Sequence, residues 1–216
     1  MVVGHTKLGA IAITRKRGDE PFVVNGEAIG KRLADFWQWS TSDLLSNALR
    51  GVLAEYIVAS ALEADQGSRT EWDAFDVVTS SGIRIEVKSG AYLQSWSQHE
   101  LSKIQFSIRQ TYGWDAASNT MSDVLKRQAD VYVFCVLAHR DKSSVNPLNL
   151  DQWDFYCLST ATLNQQLGHQ KSIGLSRLLR LDPIKSSYGD LSRAIDQVMC
   201  ERRESSESIA PSFNED

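Results

Sequence analysis

The sequence predicts an α/β fold, a mixed central β-sheet flanked by helices. Three stretches carry that expectation: an amphipathic run over 42–62, a hairpin over 75–88, and an almost unbroken apolar run over 130–138. The apolar run is too hydrophobic for a strand with one wet face, so it takes a central position covered on both sides. The amphipathic run supplies a helix with one face to bury.

The elements follow in chain order. Residues 1–41 read as an N-terminal strand/loop extension, with strand-like pieces at Ala10–Thr14 and Phe22–Val24 and a hairpin signal at Asn25-Gly26. A helix starts at Ser42 or Asp43, either of which is a good N-cap. Its apolar residues Leu44, Leu45, Ala48, Leu49, Val52 and Leu53 recur at helical spacing, and the pattern runs on to about Leu62. Gly51 inside it costs about 1 kcal/mol relative to Ala, explained by close approach of another backbone or by simple tolerance. After the hairpin, Ser89-Gly90 breaks the strand and Ala91–Leu101 is irregular or helical. Lys103–Ile108 alternates as a strand, Tyr112–Thr120 is a loop, and Met121–Gln128 a short helix. Asp130–Ala138 and Asp154–Leu158 are strands, Thr160–Leu167 and Leu175–Leu181 short helical pieces, and Tyr188–Arg203 a terminal helix. Nothing divides 42–203, which reads as one α/β domain. The Ser/Glu-rich stretch 204–216 reads as a disordered acidic tail.

Composition sets the class. The 216 residues carry a net charge of −4 and three cysteines without a C-x-x-C pair, and contain neither a membrane-span-length apolar run nor a signal-peptide pattern. A reducing cytoplasmic setting is expected, with no structural disulfide or zinc site. The charge is unevenly spread. Residues 43–78 hold seven acidic and two basic residues, and the chain from Asp196 holds six and two. Lys103, Arg109, Lys126, Arg127, Arg140, Lys142, Arg177 and Arg180 lie elsewhere, available for phosphates or simply solvated.

The chemistry concentrates in the hairpin. Strands 75–79 and 83–88 flank Ser80-Ser81-Gly82, a three-residue loop whose third position favours a left-handed residue such as Gly82. This register pairs Thr79 with Ile83, Val77 with Ile85, Asp76 with Glu86 and Phe75 with Val87. Phe75, Val77, Ile83, Ile85 and Val87 then share an apolar face, while Asp76, Val78, Arg84, Glu86 and Lys88 project from the other. Opposed side chains stand about 4.5–5.5 Å apart at Cβ. Two carboxylates that close need a counter-charge: a metal, Lys88, or both. A hairpin with a solvated charged face fits the same residues.

A helix bearing Glu55, then a strand bearing Asp76, then Glu86-Val87-Lys88 resembles the PD-(D/E)xK nuclease superfamily, over roughly residues 43–138. The resemblance implies a restriction-endonuclease-like core and a hydrolase cleaving phosphodiester bonds, in DNA first, with Mg²⁺ or Mn²⁺ as cofactor. It assigns Asp76 and Glu86 as metal ligands, Glu55 as a further ligand or water-positioning acid, and Lys88 as charge stabiliser. Gln94, with Gln98 behind it, is the candidate from the segment after Glu-x-Lys, and Asp73 is a rival to Asp76. Phe75 stands where many members have Pro, and 63–72 leaves little room for an extra strand. Nucleic-acid contacts fall to Lys103 and Arg109, with Trp96 able to stack on a base, and a homodimer is an open assembly state. A non-catalytic nuclease-like module binding nucleic acid or a protein is the second reading. The four histidines form no metal-binding pair, and Gly26–Arg32 is one residue short of a phosphate-binding loop.

Overall fold

The computed structural model describes residues 11–69, 74–115 and 120–207, without the side chains of 115 and 203–207. Trp72 and Asp73 lie outside the described residues, as does everything after 207. The protein is α/β, as its sequence predicts. It opens with a hairpin of β1 (Pro21–Val24) and β2 (Glu27–Arg32), turned by Asn25 (φ +51°) and Gly26 (φ +86°). Helix α1 (Leu33–Thr41) follows, where the sequence reading placed only strand and loop. Asp35 initiates it by accepting a 2.8 Å hydrogen bond from the backbone N–H of Arg32. Residues 11–14 form no strand.

Helix α2 spans Asn47–Ala61 and is capped by Ser46, whose hydroxyl accepts from Leu49. Asp43 instead caps the preceding turn, accepting from Leu45 and Ser46. A Cβ on Gly51 would meet nothing within 4 Å, so no backbone approaches it and tolerance is the explanation.

Strands β3 (Val77–Val78) and β4 (Arg84–Ala91) pair in the expected register, Val77 opposite Ile85 and Val78 opposite Arg84, with Gly82 at φ +84°. The strand does not continue back through Asp76 and Phe75, so the expected pairs 76–86 and 75–87 are absent from the ladder. Phe75 accordingly packs into the opposite core from Val77. Nor does β4 break at Gly90. A Cβ there would lie 2.7 Å from Ile104 Cγ2 and 3.1 Å from Phe106 Cε1, so glycine lets β5 (Gln105–Ser107) cross close over β4.

The chain next makes β6 (Thr111–Asp115) and β7 (Thr120–Lys126), an exposed ribbon where a loop and a short helix were expected. The sheet is completed by β8 (Val131–Leu137) and β9 (Trp153–Ser159), followed by α3 (Thr160–Leu167), β10 (Ser172–Gly174), α4 (Leu175–Leu179) and β11 (Ile184–Ser186). The last helix, α5 (Leu191–Glu207), carries the backbone through residues 204–207, which the sequence assigns to the tail.

The five-stranded sheet runs β11-β9-β8-β4-β3 and is mixed, with β8 parallel to β4 and antiparallel to β9. Every residue of β8 is buried, as a central strand requires. One face packs Ile85, Val87, Val133 and Phe155 against α2 and α5. The other packs Tyr132, Phe134 and Leu158 beneath Phe106, Ile173, Leu163 and Leu178, from β5, β10, α3 and α4. Arg84 binds Asp130 through Nε (3.0 Å) and Nη2 (2.9 Å), pinning the starts of β4 and β8 together.

Candidate functional site

Strand β4 positions the site through its alternation. Ile85 and Val87 anchor in the α2-side core, which forces Glu86 and Lys88 onto the other face, half-buried and ion-paired. Parallel pairing places Tyr132 beside Glu86 and Phe134 beside Lys88. The charged pair therefore sits against an aromatic surface with limited water.

Asp76 joins them by a different route from the ladder. Its backbone N–H donates to Ile85 O at 3.0 Å, and its Oδ2 accepts from the backbone N–H of Val87 at 2.7 Å. The carboxylate is thereby fastened to the residue between Glu86 and Lys88. Burial pushes its pKa up from 3.8 to about 6, and the Glu86 charge adds to the rise. The Val87 hydrogen bond and Lys88 oppose it, and Glu55 raises it further. The Tyr132 hydroxyl is also driven up, by burial first and then by Glu86. Tyr132 was not foreseen as part of the site; its only signal was a phenol within an apolar run.

Glu55 stands on α2 near enough to influence Asp76, but its carboxylate is gripped by Arg69 through Nε and Nη2, the latter at 3.2 Å. Among the described residues, no group of three or more His, Cys, Asp or Glu is arranged to hold a metal ion. Asp76 and Glu86 form the convergent pair. Hard divalent cations such as Mg²⁺ bind through one or two carboxylates and fill the rest of their shell with water and phosphate oxygens. The donor set fits that chemistry, with Lys88 already paired to Glu86 as one counter-charge.

Gln94 is 5% exposed and fully engaged. Its Nε2 donates to Ala91 O and to Ser102 Oγ, both at 3.3 Å, and its Oε1 accepts from Arg50 Nη1 at 3.2 Å. Gln98 braces the same loop, accepting from Gln94 N at 2.7 Å and donating to Tyr92 O. Arg50, which sequence reasoning passed over, is 4% exposed. Its other partners are Leu45 O and Asn47 Oδ1, and burial lowers its pKa.

Among the expected nucleic-acid residues, Lys103 and Arg109 are exposed beside β5, and Trp96 is 53% exposed with its carbonyl accepting from Lys142. Arg127 is withdrawn from that role. It is buried, donating to Ile108 O, Asn164 Oδ1, Gly168 O and Gln170 O. Arg140 lies over the Tyr92 ring at 4.4 Å. His139 and His169 bond to Ser144 and Gln110. No helix among the described residues is long and apolar enough to cross a membrane.

Comparison with the curated proteins finds no match. A family model described as "Bacteriophage T4 endonuclease IV" matches residues 31–177, from the end of β2 into α4 and across every residue of the Asp76–Glu86–Lys88 constellation. With more than half of its length so matched, the chain belongs to the bacteriophage T4 endonuclease IV family.

Proposed function

We propose that the protein is a divalent-metal-dependent nuclease that hydrolyses phosphodiester bonds, in DNA first, with a site of the PD-(D/E)xK kind. The observation that carries this reading is the Asp76 carboxylate tied to Val87, between Glu86 and Lys88. Membership in a family named for an endonuclease supports it.

Asp76 and Glu86 would hold the ion. When bound, such an ion lowers the pKa of a coordinated water, polarises the phosphate and neutralises charge on the leaving oxygen. The Val87 N–H fixes the Asp76 carboxylate, so its placement needs no reorganisation on binding. Lys88 holds its ammonium beside Glu86, where it can face the phosphate oxygens as they gain negative charge. Tyr132 and Phe134 flank the pair and limit water, strengthening each charge interaction. Glu55, loaded with Arg69, is an outer acid that orients water or the Arg69 guanidinium rather than a direct ligand.

Purified protein incubated with labelled DNA in Mg²⁺ or Mn²⁺, with EDTA as control, tests the proposal. Cleavage is expected with metal, and Glu86→Gln and Lys88→Ala are each expected to slow it by about a hundredfold or more with unchanged circular dichroism. Metal-independent cleavage, or full activity in both variants, overturns it. Metal and DNA binding without cleavage would instead favour a nuclease-like binding module.

A further inference from the structure

The ribbon of β5 and β10 covers the same sheet face from which Glu86 and Lys88 project. It comes close to them along the strand, because β5 crosses β4 at Gly90, two residues beyond Lys88. Its outer surface has an unusual charge. Residues 101–114 and 160–181, which build β5, α3, β10, α4 and β6 as far as Trp114, contain Lys103, Arg109, Lys171, Arg177 and Arg180 and no Asp or Glu, with Asp115 and Asp182 just beyond them, in a chain of net charge −4. All five cations are exposed, and none is held in an ion pair among the described residues.

Local structure explains their presentation. Burial alternates through β5 and both its flanks: Ile104, Phe106 and Ile108 are buried, and Lys103, Gln105, Ser107 and Arg109 are exposed. Lys103 and Arg109 are six residues apart, about 20 Å for a fully extended chain, comparable with five or six phosphates along one strand of a duplex at about 3.4 Å each. Gln105 Nε2 donates to Ser172 Oγ across the ribbon at 2.8 Å, fixing the middle of this row. Arg127 braces the layer from below by joining Ile108 to Asn164, Gly168 and Gln170. The row is thus held rigid and uncompensated, as a surface awaiting a polyanion is.

We infer that the outer face of the β5–β10 ribbon and α4 is a track for the phosphate backbone of a nucleic acid, leading to Glu86 and Lys88. The identity of the partner rests on the nuclease reading; the track is tested by binding alone. Labelled DNA is titrated in EDTA at several salt concentrations, read by fluorescence anisotropy. The proteins are the wild type, a variant combining Lys103→Ala, Arg109→Ala, Arg177→Ala and Arg180→Ala, and a control combining Arg17→Ala with Arg193→Ala.

The four-site variant is expected to bind at least about tenfold more weakly, with the slope of log K against log salt reduced by about 3. The control keeps the wild-type slope. If the four-site variant fails to fold, Lys103→Gln and Arg177→Gln singly are each expected to reduce the slope by about 0.7–0.9. A wild-type slope in the variants, an equal loss in the control, or no DNA affinity in the wild type overturns the track. The two readings fail separately. Binding with the expected slope but no cleavage under any metal removes the nuclease and leaves the track. Cleavage by wild type with unaltered binding in the variants does the reverse.

Discussion

The side chain of Asp76 is held by the backbone of Val87, its Oδ2 accepting the Val87 N–H at 2.7 Å. This contact replaces a ladder pair: β3 begins at Val77, and the residue before it spends its carboxylate on the strand it would have paired with. It holds Asp76 beside Glu86 and Lys88, where burial of the carboxylate has a measurable cost.

That cost follows from the Asp76 pKa, which moves from 3.8 to about 6 on folding. A carboxyl whose folded pKa is raised favours the folded state while protonated. The advantage is complete below pH about 4 and is lost as the pH rises through about 6, where the folded chain must ionise Asp76 beside Glu86. Two pKa units set an upper bound of about 3 kcal/mol. Asp76→Asn keeps an oxygen for Val87 and removes the charge, so it should raise Tm above pH about 7, by roughly 2–4 °C per kcal/mol recovered, while abolishing cleavage. Calorimetric melts across pH check this; a lower Tm for the variant at every pH would refute it.

Metal titration ranks the three carboxylates. Asp76→Asn and Glu86→Gln should remove measurable Mn²⁺ binding by calorimetry. Glu55→Gln should weaken it by about tenfold, since the Glu55 carboxylate is already engaged by Arg69. Equal losses for all three would make Glu55 a direct ligand.

Gly90 decides how closely β5 lies over the site. Gly90→Ala places a methyl 2.7 Å from Ile104 Cγ2 and should cost about 1–3 kcal/mol. Because the strain falls on the strand beside Lys88, cleavage should drop by more than the fraction unfolded accounts for. Thermal melts and cleavage assays on the same preparation separate the two effects.

How much of this was legible varies by element, for physical reasons. The Val77–Ile85 register was readable because Gly82 and the apolar alternation both specify it, and β8 because seven buried positions leave no other reading. Phe75 misled because alternation holds only while a strand lasts, and no residue announces that β3 begins only at Val77. Residues 120–126 lack a buried face of either period, so their ribbon is fixed by pairing with β6, which local sequence does not report. Tyr132 and Arg127 acquired their roles through non-local contacts, one beside Glu86 and one under the basic ribbon. Ser89-Gly90 resembled a strand break because a glycine that permits close packing and one that permits a turn look alike in sequence.

Arg50 offers a test of packing independent of the site. It is 4% exposed and its side chain donates to Leu45 O, Asn47 Oδ1 and Gln94 Oε1, all uncharged acceptors, while Nε has no partner among the described residues. A buried guanidinium without a carboxylate is under-compensated. Gln94→Ala removes one acceptor and should cost about 1–3 kcal/mol. Asn47 is exposed in the first turn of α2, with Oδ1 2.7 Å from Arg50 Nη2. Asn47→Asp supplies the missing charge in the same geometry and at the end of the helix that favours an anion, worth about 1 kcal/mol. Its Tm should rise by about 2–4 °C, with DNA affinity and cleavage unchanged. An unchanged or lower Tm would mean that the neutral acceptors already satisfy Arg50 and that its buried charge is not a liability.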